Sequence, residues 1–209
     1  KIRDCMMEAH RKAFPVIKEN LNNNQPVGIT LSIMDYQCIE GGEEERDKAH
    51  AESVDICLDQ VKDDDFLGVQ MYTRHTFGPD GIIMPDINTA DMLVMGYEYY
   101  PESVENVLRY VGPKINCPMI VTENGIGTDD DQQRINYITT ALEGLQRCLD
   151  DGLDIRGYYY WSFLDNFEWL FGYKPRFGLV DVDRNTLERK GKESLKFYKS
   201  IIENSQINP

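Results

Sequence analysis

The feature that most restricts this chain is an alternation of short, strand-like apolar runs with longer amphipathic ones. Val27–Ile33 (VGITLSI), Phe66–Tyr72 (FLGVQMY), Met119–Thr122 (MIVT) and Ile155–Trp161 (IRGYYYW) have strand length and composition. The segments around them have helical character. Residues 4–20 put Cys5, Ala9, Ala13 and Ile17 on one stripe, with Pro15 predicting a kink. Glu43–Val61 opens with an acidic turn suited to the positive end of a helix dipole. Pro101 can start a helix running to about Val111. From Asp131 to Asp151, Ile135, Ile138, Leu142, Leu145 and Leu149 recur at helical spacing, and Gly152 is placed to end the helix. Glu188–Glu203 reads as a closing helix with Leu195, Tyr198, Ile201 and Ile202 on one side.

Short runs buried on both faces and separated by helices predict parallel strands joined by right-handed crossovers. Two architectures satisfy that order. One is a doubly wound sheet, which binds ligands where strand order reverses. The other is half of a (β/α)8 TIM barrel, which carries its chemistry on loops after the strand C-termini. Periodicity does not separate them. No solenoid repeat and no Gly/Ser- or Pro-rich linker interrupts residues 1–209, so one domain is expected.

Composition removes several function classes. A formal net charge of −14 argues against a duplex-binding surface, because a phosphate backbone would be repelled, and suits a neutral ligand. No apolar run is long enough to span a membrane. Cys5, Cys38, Cys57, Cys117 and Cys148 lack metal-ligand spacing and are expected to be reduced thiols, mostly in the core of a cytoplasmic protein. The opening Lys1-Ile2-Arg3-Asp4 is neither an initiator methionine nor a signal peptide, and reads as a point within a longer gene product.

The loops carry the chemistry. MIVT is followed by Glu123-Asn124-Gly125, a carboxylate at a strand end followed by turn residues. IRGYYYW runs into Ser162–Tyr173, so that Trp161 and Trp169, the only two tryptophans, bracket Asp165 and Glu168 among further aromatics. No phosphate-cradling glycine motif follows any strand, which counts against a nucleotide-binding sheet. Aromatic faces pack on the C–H side of a pyranose, and carboxylates accept from its hydroxyls. Glycoside hydrolysis with retention needs two carboxyl groups about 5–5.5 Å apart.

Ile120-Val121-Thr122-Glu123-Asn124-Gly125 resembles the nucleophile motif of glycoside hydrolase family 1. Gly157–Tyr173 with Arg176–Asp183 is similar to the last strand and loop of that family, and a weaker likeness extends over the whole chain. The resemblance implies a (β/α)8 barrel of which this chain supplies strands five to eight. It implies Glu123 as nucleophile and Tyr72 as the tyrosine that orients it. Trp161 becomes the platform under the reactive ring, and Glu168 with Trp169 bind its distal hydroxyls. Phe177 closes the subsite, and Gln70 lies near the 2-hydroxyl. The implied reaction uses no metal or cofactor and acts on a terminal β-D-glycoside.

Several positions depart from the family pattern. Gln70-Met71-Tyr72 stands where Asn-Tyr-Tyr is usual, and the stretch between the first two strands is short, which trims the aglycone entrance. Phe171 occupies a position that is acidic in some members, and Lys174 stands without the partners of a phosphate-binding pattern, so a neutral sugar is expected. The Asn-Glu-Pro motif that carries the family's acid/base glutamate is absent. The chain is therefore expected to need the N-terminal half of the barrel as a partner, or failing that to self-associate. Four barrel strands alone would leave two open edges and an unlayered inner face of residues such as Ile29, Leu67 or Val69, and Val121. The competing reading is a non-catalytic sugar-binding or scaffold fragment of the same fold.

Overall fold

The computed structural model describes residues 1–21, 25–89 and 91–204. Helix α1 (Ile2–Asn20) leads into strand β1 (Gly28–Ser32) and a short strand β2 (Asp35–Cys38). Helix α2 (Glu43–His50) continues through a π-helical turn, Ala51–Asp55, into α3 (Ile56–Val61). Strands β3 (Phe66–Gln70), β4 (Arg74–Gly78) and β5 (Gly81–Ile83) precede helix α4 (Ser103–Val111). Then follow β6 (Met119–Asn124), α5 (Asp131–Asp150), β7 (Ile155–Tyr160), β8 (Val180–Val182), β9 (Arg189–Gly191) and α6 (Glu193–Asn204).

The principal sheet is parallel, with order β1-β3-β6-β7. Spatial order follows chain order without reversal, as consecutive barrel strands require and a doubly wound sheet forbids. Within the described residues β1 pairs only with β3 in this sheet and β7 only with β6, so both outer edges are open.

The helices cover one face. Leu67, Val69 and Val121, all 0% exposed, pack there with Val104, Leu108, Tyr137 and Leu145. Each such side chain is worth roughly 1.5–3 kcal/mol of burial. This corrects the expectation that these residues form a bare inner face: strand alternation does put them on one side, but it is the helix-covered side. The lumen side carries Thr30, Gly68 and Thr122, packed so closely that a Cβ on Gly68 would lie 2.4 Å from the Thr30 hydroxyl. A second cluster joins Ile138, Leu142, Tyr160 and Leu179 to Leu195, Tyr198 and Ile201 of α6.

Helix α1 turns a different stripe inward from the one its apolar spacing predicts. Met7 is its buried residue, while Cys5, Ala9, Ala13 and Ile17 are exposed, and the helix runs on through Pro15. Polar partners line that inward side. His10 meets Asp64 at 2.7 Å and Lys18 meets Asp65 at 2.6 Å, both acids lying just before β3. Two chain segments also differ from expectation. Residues Arg189–Gly191 pair antiparallel with Val180–Val182, which delays α6 to Glu193. Polar sequence beyond the first two sheet strands forms the small sheet β2-β4-β5. The five cysteines are free, but only Cys57 and Cys148 are buried, so they are not mostly core residues. No helix among the described residues is long and apolar enough to cross a membrane.

Candidate active site

The site grows from an irregularity in β6. Val69 pairs with Val121, yet Gln70 pairs with Glu123, so β6 carries one extra residue opposite β3. A bulge of this kind re-aims the side chains that follow it. Uninterrupted alternation would put Glu123 on the helix-covered side with Met119 and Val121. The extra residue turns it instead to the lumen side with Gln70, and sends Asn124 to the buried side, where it is 0% exposed.

On the lumen side each oxygen of Glu123 receives one donor. The Gln70 amide donates to Oε1 at 2.7 Å and the Tyr72 hydroxyl to Oε2 at 2.5 Å. Burial, then the hydrogen bond to Glu123 and the charge of that carboxylate, hold the Tyr72 phenol well above the ordinary tyrosine range. Tyr72 therefore remains a donor throughout any working pH.

The loop after β7 supplies the wall. The Trp161 N–H donates to the Asn124 carbonyl at 2.8 Å, so this loop leaves directly beside the Glu123 turn. Gly125 makes that approach possible, since a Cβ there would stand 1.9 Å from the Trp161 carbonyl oxygen. The Trp161 indole N–H points to Glu168 Oε1 at 3.4 Å, and the Asn166 amide donates to the same oxygen at 2.6 Å. Phe177 is buried, with its ring edge-on to Tyr72 at 6.4 Å. Trp169 is not drawn into this group: it is 90% exposed, with its ring edge-on to Phe167 at 6.5 Å.

Buried charge fixes the loop. Asp165, 5% exposed, accepts from the Gly178 N–H at 2.8 Å and from Lys192 at 3.0 Å. Arg134, 1% exposed, donates to the carbonyls of Thr128 and Arg176, each at 2.6 Å, tying the loops after β6 and β7 together. On the opposite flank Tyr97 lies 6.4 Å from Tyr72, ring to ring. The bidentate Arg74–Glu98 pair, at 2.7 and 2.8 Å, holds that segment.

The structure thus brings together Glu123, Tyr72, Gln70, Trp161, Glu168 and Phe177 at the C-terminal ends of β3, β6 and β7. Sequence reasoning missed Tyr97, an isolated aromatic in an aperiodic stretch, and gave Asn166 no role. It read Asn124 only as a turn residue, although its place directly after the carboxylate was a usable signal.

Known proteins resemble this chain in sequence and fold. The sequence profile of glycosyl hydrolase family 1 matches residues 85–207. The chain belongs to glycosyl hydrolase family 1. Among family 1 relatives, a 1,4-beta-D-glucan glucohydrolase of Thermotoga neapolitana is 34% identical over 165 residues, covering 72% of this chain and 37% of that protein. Beta-glucosidase A of Thermotoga maritima is 35% identical over 157 residues, covering 68% and 35%. The crystal structure of a beta-glycosidase superposes with a TM-score of 0.89 at 40% identity, over 96% of this chain and 48% of that one. The hyperthermophilic beta-glucosidase of Pyrococcus furiosus gives 0.85 at 30% identity, over 95% and 45%. The chain spans half or less of the length of each of these family 1 proteins, and its four parallel strands are part of a TIM barrel.

Proposed function

We propose that residues 1–209 form the C-terminal half of a retaining β-glycosidase barrel that hydrolyses terminal β-D-glycosyl units, with Glu123 as nucleophile. The observation that carries this reading is the pairing of one donor with each Glu123 oxygen, on the lumen side, at the end of a barrel strand. Such a carboxylate is fixed in direction, as attack at an anomeric carbon requires.

In the first step a Glu123 oxygen bonds to C1 of the sugar while the C1–O bond to the leaving group breaks. The departing oxygen takes a proton from a carboxylic acid. In the second step water attacks C1, gives a proton to the same group, now a carboxylate, and the bond to Glu123 breaks. Two inversions give retention. Trp161 forms the platform for the ring, Glu168 and Trp169 bind its outer hydroxyls, Phe177 closes the subsite and Gln70 adjoins the 2-hydroxyl. In this reading Trp169 is recruited from its exposed position when sugar arrives.

The acid/base group belongs to a partner, the N-terminal half of the barrel. Support comes from the open edges of β1 and β7 and from the outward face of α1, where Ile2, Met6, Val16 and Ile17 are exposed on the helix that leads into β1. A 2-deoxy-2-fluoro β-glucoside supplied to the assembled enzyme should label Glu123. Label on Glu168, or an unlabelled Glu123 in an active enzyme, would overturn the assignment.

A further inference from the structure

Strand pairing alone does not hold Tyr72 where it meets Glu123. Strand β3 ends at Gln70, two residues earlier. Beyond it the Met71 N–H donates to the Glu123 carbonyl at 3.2 Å, but the carbonyls of Met71 and Tyr72 accept from side chains.

Those side chains form one connected set. Asn124 gives one amide hydrogen to the Met71 carbonyl at 2.8 Å and the other to the Tyr137 hydroxyl at 2.9 Å. Its Oδ1 accepts from the Tyr158 hydroxyl at 2.8 Å. Tyr137, on α5 and 0% exposed, donates its own proton to the Tyr72 carbonyl at 3.1 Å. These bonds fix every proton: Tyr158 gives to Asn124, Asn124 to Tyr137, and Tyr137 to Tyr72. A flipped amide would face the Met71 carbonyl with a lone pair, so one orientation of Asn124 is possible.

We propose that Asn124 and Tyr137 are positioning residues for the nucleophile, fixing the main chain at Met71–Tyr72 and so the line along which the Tyr72 hydroxyl reaches Glu123. The inference rests on Glu123 being the nucleophile. The bulge in β6 makes it possible, because it sends two successive residues to opposite sides: Glu123 faces substrate, and Asn124 holds the donor's backbone from behind. Misplacement of a catalytic contact by about 1 Å costs on the order of 10²-fold in rate.

A purely structural network and a positioning network differ in what they do to the rate at which Glu123 attacks. Loosening the line of the Tyr72 hydroxyl lowers kcat, and the rate of adduct formation with a 2-deoxy-2-fluoro β-glucoside, while KM stays near the wild type. Loss of stability alone lowers the melting temperature and leaves both rates in place. The experiment compares Tyr137→Phe and Asn124→Asp in the assembled enzyme, using 4-nitrophenyl β-D-glucoside. Cys148→Ala, buried farther along α5 and outside the network, is the control.

Tyr137→Phe, which keeps the ring, should lower kcat and the adduct-formation rate by roughly threefold to tenfold, the size of one neutral hydrogen bond. Asn124→Asp should lower both further, since both donors to Met71 and Tyr137 are lost. Cys148→Ala should lower the melting temperature without changing either rate. Tyr137→Phe decides the matter if Asn124→Asp does not fold, and an adduct-formation rate in Tyr137→Phe equal to that of the wild type overturns the proposal. Fluoroglucoside trapping of the wild type separates the two readings. No adduct on Glu123 sinks both, whereas an adduct formed at the wild-type rate in Tyr137→Phe sinks the positioning role alone.

Discussion

The side-chain amide of Gln70 donates to Oε1 of Glu123 at 2.7 Å, beside the extra residue of β6. The family pattern has asparagine at this position, one methylene shorter. Hydrogen bonds to a charged group contribute about 1.5–3 kcal/mol. Gln70→Leu should therefore lower kcat/KM by roughly 10- to 150-fold in the assembled enzyme. Gln70→Asn should also lose activity, because the shorter amide falls short of Oε1 on this backbone. Steady-state kinetics on both variants check the point, and an unchanged Gln70→Leu would show that Tyr72 alone suffices.

Activity should require the partner. A nucleophile without a general acid cannot expel an ordinary alkoxide, and acid/base catalysis contributes ~10²–10⁴-fold. The 209-residue chain alone should show no measurable turnover of an alkyl β-glucoside, and addition of the N-terminal half should restore it. In the restored enzyme Glu123→Ala should be inactive, and azide should return part of the activity with inverted product. Product stereochemistry by NMR distinguishes this rescue from contamination by wild type.

Gly125 should tolerate no side chain. A Cβ there would lie 1.9 Å from a main-chain oxygen, so the strand ends after β6 and β7 would have to separate. Overpacking costs roughly 1–3 kcal/mol where side chains can yield, and here only backbone is available. Gly125→Ala should destabilise by at least about 3 kcal/mol, read as a lowered urea midpoint. Gly152→Ala, with open space around its Cβ position, should lose less, through its φ of +87° alone.

Alkali should unfold the protein early. Burial raises the phenols of Tyr72, Tyr97, Tyr137 and Tyr158, and lifts Tyr99 and Tyr160 to about 12. Unfolded tyrosines ionise near ~10, so above that value the unfolded chain gives up protons that the folded chain retains. Stability is then fully present below ~10 and falls as pH rises through about 12. Urea midpoints from about pH 8 to about pH 11 should fall steeply at the upper end.

The sequence revealed the strands and the carboxylate but not how the carboxylate is aimed. All four sheet strands, α5 and the Glu123 turn are legible because apolar periodicity and terminal Gly152 report burial directly. The β6 bulge is invisible to that reasoning: Thr122 carries no mark of being the extra residue, and only pairing with β3 reveals it. The rotation of α1 is hidden for a related reason. Its apolar spacing is real, but the partners that line its inward side, Asp64 and Asp65, lie far along the chain. Tyr97 and the strands β2, β4 and β5 depend on polar contacts such as Arg74–Glu98, which leave no period at all.

The two open edges belong to one continuous sheet, and that has a consequence for assembly. Any partner that closes the barrel must form two seams, one on β1 and one on β7. Once the first has formed, the second is an intramolecular event, at an effective concentration on the order of millimolar or above. Closure is then close to all-or-none, and its avidity far exceeds the strength of either seam. A proline placed at Thr30 on β1, whose N–H faces away from β3, would weaken one seam directly, yet its effect should appear as loss of the whole association, because the other seam would lose its tether.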